Sequence, residues 1–226
     1  MKIFICVQCR LSSARLPGKI LKKINNKPLV SYIIEKLRKT ILKKSFFILT
    51  STSKTDNKLI DYCKKTNVRF YTGSLNNVYK RFEDFSEKFE ADAVIRLSGD
   101  SPLLDVDLIN KFIHLTESRK KYDIITNLFP RTFPSGQSVE VIFKTAFKKV
   151  IKKNMSLHNK EHVTSYFYEN ASKFSILNIS CPYKHRFPKL SIDTQEDFNK
   201  FDRFIKSTNN KDLEIKKIIK TWEDLG

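Results

Sequence analysis

Gln8-Cys9-Arg10-Leu11-Ser12-Ser13-Ala14-Arg15-Leu16-Pro17-Gly18-Lys19 is the stretch on which the reading of this chain turns. It follows the apolar run Ile3-Phe4-Ile5-Cys6-Val7, which reads as a short buried strand. It precedes Pro28 to Thr40, where Leu29, Tyr32, Ile33 and Leu37 recur at helical spacing. A strand that runs into a loop with two Arg, two Ser, a Pro-Gly turn and a Lys has the layout of an anion site. In open α/β sheets, ligands lie beyond the carboxyl ends of the strands. Three cations suit a polyphosphate, the guanidinium groups as forks and the ammonium as a point charge. The stretch is not a Walker A loop, because Ser13 and Ile20 stand where that motif requires Gly and Ser or Thr. It also lacks the three spaced glycines of a dinucleotide fingerprint. A basic surface loop turning at Pro17-Gly18 is the competing reading, and the residues alone weigh the two equally.

Beyond the loop, strand and helix signals alternate. Phe46 to Thr50 and Val68 to Tyr71 read as strands, with a helix over Thr55 to Thr66 between them. Another helix is expected from Gly73-Ser74, with Ser74 as N-cap, to about Glu90. Ala93 to Leu97, Tyr122 to Thr126, Ser138 to Phe143 and Phe174 to Ile179 follow as strands, and Asp212 to Leu225 as a last amphipathic helix. Alternation of this kind indicates a doubly wound, mostly parallel α/β sheet. With 226 residues the default is one domain with a full core.

The formal charge of +19 admits a nucleic-acid partner. The lysines, however, are scattered as doublets such as Lys22-Lys23, Lys64-Lys65, Lys120-Lys121 and Lys216-Lys217. That pattern fits a solvated surface that steers anionic substrates better than a nucleic-acid site. No apolar run reaches the length of a membrane span, and the N-terminal apolar run is too short for a signal peptide. A cytoplasmic protein with neither a membrane nor a nucleic-acid partner is expected. Cys6 and Cys9 form a C-x-x-C with no second pair to complete a zinc site.

Five further segments bear on chemistry. Arg96-Leu97-Ser98-Gly99-Asp100-Ser101-Pro102-Leu103 ends a strand in a carboxylate that faces the same crevice as the first loop. Asp105-Val106-Asp107 is a D-x-D pattern, but negative charge where a helix begins is stabilising without a metal. Asn127 to Val141 holds two Pro and one Gly, and a loop of this length in a compact domain is usually functional. In it, Arg131 can grip an anion bidentately, and Glu140 can orient hydroxyl groups. His158-Asn159-Lys160-Glu161-His162 matches a five-residue inverted zinc-protease spacing with no third ligand. Leu190 to Phe198 contains Asp193 at the end of a short expected strand. In it Thr194 and Asp197 are set to cap a helix.

The pattern Gln-x-Arg-x-x-Ser-x-Arg-Leu-Pro-Gly-Lys resembles the nucleotide-binding loop of the cytidylyltransferases that activate 3-deoxy-octulosonate and acylneuraminate sugars. The resemblance is greatest to the branch named for spore-coat polysaccharide biosynthesis. It extends from Lys2 to about Phe204 and includes Gly99-Asp100-Ser101-Pro102-Leu103, Lys160-Glu161-His162-Val163-Thr164-Ser165-Tyr166 and Ile192-Asp193-Thr194-Gln195-Glu196-Asp197. It implies a Mg2+-dependent transfer of CMP from CTP to an acidic sugar, with release of pyrophosphate. By resemblance, Gln8, Arg10, Ser12, Ser13, Arg15, Gly18, Lys19, Ser98 and Gly99 bind the nucleotide. Arg10, Lys19, Asp100 and Asp193 are catalytic, with Asp100 and Asp193 as the magnesium ligands. Arg131, Glu140, Glu161 and His162 face the acceptor, and Arg186 is a further candidate for phosphate or substrate. Residues 127–185 would form an inserted substrate and dimerisation subdomain of a homodimer. The rivals are a nucleotide-sugar glycosyltransferase using Asp105 and Asp107, a basic nucleic-acid binder, and a zinc hydrolase.

Overall fold

The apolar run at the start forms an interior strand of a seven-stranded sheet. The structure, a computed structural model, describes residues 1–119, 121–182, 188–209 and 213–225. Arg186, Lys120 and the expected start of the last helix at Asp212 lie outside the described residues. The elements in chain order are β1 (Ile3–Gln8), β2 (Lys23–Ile24), β3 (Lys27–Pro28), α1 (Leu29–Leu37), β4 (Phe46–Ser51), α2 (Asn57–Lys65), β5 (Phe70–Gly73) and α3 (Val78–Lys88). Then come β6 (Ala93–Ser98), α4 (Val106–Ser118), β7 (Ile124–Thr126), β8 (Glu140–Phe143), α5 (Lys144–Lys149), α6 (Leu157–Glu161), α7 (Ser165–Glu169), β9 (Ile176–Asn178), α8 (Gln195–Thr208) and α9 (Ile215–Asp224).

The sheet order is β5-β4-β1-β6-β8-β7-β9. β8 runs antiparallel to both of its neighbours, and every other pairing in the sheet is parallel. The expected mostly parallel, doubly wound sheet is therefore present. Residues 127–185 contribute β8 and β9 to this same sheet.

Strand periodicity sorts the core into layers. Ile3, Ile5 and Val7 of β1 pack with Ile33 and Leu37 of α1, Leu59 of α2 and Phe112 of α4. Cys6 faces the other way, with Phe82 and Phe85 of α3 and Phe167 of α7. A third cluster joins Leu29 and Tyr32 of α1 to Phe201 and Phe204 of α8 and Trp222 of α9. Through it, α8 and the segment before it are fixed over the start of α1.

Two local expectations, the Ser74 N-cap and the strand before Asp193, are corrected. Asn25-Asn26 forms the turn of a small hairpin between β2 and β3, just before α1. Both Asn residues adopt positive φ, 48° and 61°, which Asn tolerates better than most residues. The N-cap of α3 is Asn77, whose side chain accepts from Lys80 N at 2.9 Å, while Ser74 caps the turn before it by accepting from Asn77 N. Asp193 follows no strand. Its segment is irregular and is held by Leu190 N on Ser135 O and Ile192 N on Asp100 O, both 2.8 Å.

Candidate active site

The register of the sheet sets the site. Gln8 at the end of β1 lies beside Leu49 of β4 and Ser98 of β6, so the loops after β1 and β6 emerge together. Cys9 N donates to Leu49 O at 3.0 Å and Gly99 N to Gln8 O at 3.0 Å, which carries the pairing one step past the strands. A Cβ on Gly99 would stand 2.2 Å from Cys9 Sγ, so any larger residue here must displace the Cys9 side chain. The first loop closes where Gly18 N donates to Leu11 O at 2.9 Å. Gly18 has φ +69°, a left-handed turn that glycine adopts without strain. The chain then enters a single 3-10 turn, Lys19–Leu21.

That turn points Lys19 inward. Its ammonium, on a residue only 7% exposed, donates to Asp100 Oδ2 at 3.0 Å, Asp193 Oδ1 at 3.0 Å and Ile192 O at 2.7 Å. Ser98 Oγ donates to Asp100 Oδ1 at 2.7 Å. Arg15 lies 3.1 Å from Asp193 Oδ1 and Lys189 3.2 Å from its Oδ2. Burial alone would raise the Asp193 carboxyl pKa, but Lys19 and Lys189 outweigh it and hold the group below the usual carboxylate range. Two carboxylates thus converge on one point from loops 93 residues apart. Such a pair of hard oxygen donors fits magnesium, which completes its shell with waters and phosphate oxygens. Among the described residues no group of three or more His, Cys, Asp and Glu converges to hold a metal without such help.

Two cavities meet here. The first, about 350 Å³, is lined by Gln8, Cys9, Arg10, Ser13, Ala14, Arg15, Lys19, Ile20, Arg96, Ser98, Asp100, His162 and Asp193. The second, about 330 Å³, is lined on its far side by Arg131, Ser135, Gly136, Ser138, Glu140, Thr164 and Ser191. Arg96, Ser98, Asp100, His162 and Asp193 belong to both. Ser12, Gly18, Gly99 and Glu161 stand outside the linings.

The second cavity is built on a buried acid. Glu140, fully buried, accepts from Thr164 Oγ1 and Tyr168 OH, each at 2.6 Å, and pairs through Oε2 with Arg96 Nη1. Arg96 donates its other nitrogens to Gln8 Oε1 at 3.0 and 3.2 Å. A relay therefore runs from the second cavity through Glu140 and Arg96 to Gln8 in the first. Burial and the Glu140 charge push the Tyr168 hydroxyl pKa up, so it stays a donor. Arg131 Nη1 donates to Ser138 Oγ at 3.2 Å, and burial lowers its pKa. Gly136 has φ +93°, and a Cβ there would meet Leu190 C at 2.7 Å, so the loop of residues 127–141 packs backbone to backbone on the Asp193 segment.

At the rim, Arg10 pairs with Glu161 at 2.8 Å, and this pairing holds the Glu161 carboxyl below its usual range. Partial burial and the neighbouring His158 lower the His162 pKa. The His158 and His162 rings lie 4.4 Å apart, with His162 just past the end of α6. Asp105 is the N-cap of α4, accepting from Asp107 N at 2.8 Å, and neither Asp lines either cavity. Thr194 and Asp197 form a complete capping box on α8.

Sequence reasoning did not assign Arg96, Thr164 or Tyr168. Arg96 was within reach, since it lies two residues before Ser98 on a strand and so shares its face. Thr164 and Tyr168 are four apart on one turn of helix, but nothing local says that they face Glu140.

A family model described as Cytidylyltransferase matches residues 4–224. Spore coat polysaccharide biosynthesis protein SpsF of Bacillus subtilis is 28% identical over 204 residues, 87% of this chain and 83% of that protein. A cytidylyltransferase structure from Leptospira borgpetersenii superposes with a TM-score of 0.86 at 27% identity, covering 100% of this chain and 92% of that one. The structure of CMP:2-keto-3-deoxy-manno-octonic acid synthetase complexed with CTP superposes at 0.69 over 92% of this chain and 100% of that one, with 14% identity, a likeness of fold. With its loop, its paired carboxylates and a match over nearly its whole length, the chain belongs to the cytidylyltransferase family, in the SpsF-like branch.

Proposed function

We propose that the chain transfers CMP from CTP to an acidic sugar, with magnesium, in the synthesis of a surface polysaccharide. The observation that carries this reading is the pair of cavities meeting at Asp100 and Asp193. A transfer between two substrates needs two compartments and one shared point of reaction. The family supplies cytidylyl transfer, SpsF the link to polysaccharide, and the CTP-bound synthetase the kind of nucleotide and sugar acid that this fold accommodates.

In this reading Arg10, Arg15 and Lys19 bind the triphosphate in the first cavity, and the acceptor enters the second, with Arg131 on its anionic group. The acceptor hydroxyl attacks the α-phosphorus in line, the bond to the β-phosphate oxygen breaks, and pyrophosphate leaves. His162, which lines both cavities and whose pKa partial burial lowers, is the residue we assign to take the hydroxyl proton. Asp100 and Asp193 would hold magnesium, which would supply charge neutralisation on the phosphates. Everything else is positioning. The acting unit is a homodimer in the cytoplasm, where CTP is made. Pyrophosphate release from CTP and magnesium, with 3-deoxy-octulosonate, N-acetylneuraminate and sugar phosphates each offered as acceptor, tests the proposal. Release that depends on a sugar acid supports it, and release with sugar phosphates alone replaces the acceptor class.

A further inference from the structure

Beneath the first loop lies a buried acid with no part in the scheme so far. Asp56, at the end of the short turn that leads into α2, is completely buried. Its two oxygens serve different parts of the molecule. Oδ2 accepts from Thr50 Oγ1 at 2.9 Å, Ser51 N at 3.1 Å and Ser51 Oγ, all at the end of β4. Oδ1 accepts from Leu11 N at 2.8 Å, in the middle of the first loop. Leu11 O in turn accepts from Gly18 N. A strut thus runs from the sheet through Asp56 and Leu11 to Gly18, where the chain turns to aim Lys19.

A carboxylate buried to this degree is costly unless its lone pairs are filled. Three donors from β4 fill one side. The other side is filled by the loop alone. Arg81, equally buried, lies within Coulombic reach and offsets the charge, with its Nε and Nη2 on Ser74 O at 3.1 and 2.6 Å. The loop is thereby tied down at Leu11, the residue on which Gly18 closes it.

We propose that Asp56 is a positioning residue for the triphosphate: through Leu11 it fixes the curvature of residues 9–18 and so the placement of Arg10, Arg15 and Lys19. The inference rests on the nucleotide-binding reading of that loop. The two-sided hydrogen bonding makes a selective test available. In Asp56→Asn one oxygen becomes an NH2 group. The three β4 donors retain the remaining oxygen, and the NH2 turns toward the Leu11 N–H, donor against donor. The loop side is therefore the side that is lost. Thr50→Val, in contrast, removes a donor from the β4 side only.

The experiment measures CTP affinity with magnesium, and hydrogen exchange of the loop amides without nucleotide, in wild type, D56N and T50V. One unsatisfied buried amide predicts CTP binding roughly tenfold to a hundredfold weaker in D56N, with faster exchange at Leu11. T50V should melt lower yet bind CTP like wild type. If D56N does not fold, L11P, which deletes the N–H and leaves the acid intact, carries the same prediction. D56N and T50V with equal losses of stability, unchanged Leu11 exchange and CTP affinity within about twofold of wild type would make Asp56 purely structural and overturn the proposal. Wild type that binds no nucleoside triphosphate overturns the nucleotide reading itself, an outcome visible before any variant is compared.

Discussion

Asp100 and Asp193 share one ammonium, and the chemistry assigned to them makes them unequal to ordinary surface acids. Asp100→Asn keeps the size of the side chain and its hydrogen bond from Ser98 while removing charge from a partly exposed group. Turnover should fall by on the order of a hundredfold or more, as expected when several kcal/mol of charge stabilisation are lost. Melting should change by only a few degrees, and pyrophosphate release beside a thermal melt checks both. Asp193 adds a pH dependence. Its folded pKa lies below the ordinary value of 3.8, so its ionised form stabilises the fold above that value, and this contribution is lost as pH falls through the lower, folded value. Acid titration of Asp193→Asn should lack that part of the loss. Under the proposed function, Glu161 competes with the triphosphate for Arg10. The pair is half exposed and worth about 0.2–1 kcal/mol. Glu161→Gln should leave stability unchanged and tighten CTP binding by up to about fivefold, measured by titration calorimetry.

Elements converge on the site through close contacts at Gly99 and Gly136, and the one at Gly99 is testable as a pair. Gly99→Ala should destabilise by about 1–3 kcal/mol through overpacking, because the new Cβ meets Cys9 Sγ. Cys9→Ala removes that sulfur, so the double variant should recover most of the loss in a denaturant titration. At this scale some structure was legible in the sequence and some was not. The helix starts at Asp105 and Thr194 were readable because a cap is decided within four residues. The N-cap of α3 was not, because Ser74 and Asn77 are both good caps three residues apart, and each caps a turn in the folded chain. The segment before Asp193 alternates like a strand but pairs with the loop at Ser135 and Asp100. Arg96 and Glu140 gain their places from partners 24 to 88 residues away, and Asp56 reaches the first loop 45 residues away. No local pattern encodes such partners.

For the whole molecule, the alternation of strands and helices was sufficient to give the sheet and its crevice, because each element carries its own periodicity. The reversed strand β8 and the third core cluster between α1, α8 and α9 depend on tertiary packing. Net charge acts at this scale too. A chain of +19 attracts CTP from a distance. Salt raised from about 0.01 M to about 0.15 M shortens the screening length from roughly 30 to 8 Å. The ratio kcat/KM for CTP should therefore fall across that range while kcat holds, in steady-state assays. The central claim, that the loop after β1 and the paired carboxylates form a CTP site, is tested most directly by thermal melting with each of the four nucleoside triphosphates, with and without magnesium. A ligand at a hundredfold its Kd adds about 2.7 kcal/mol, or roughly 5–10 °C for a chain of this size. The account predicts a shift of that order for CTP, dependent on magnesium and absent in Asp100→Asn. No shift with any triphosphate at millimolar concentration, or an equal shift in Asp100→Asn, would contradict it.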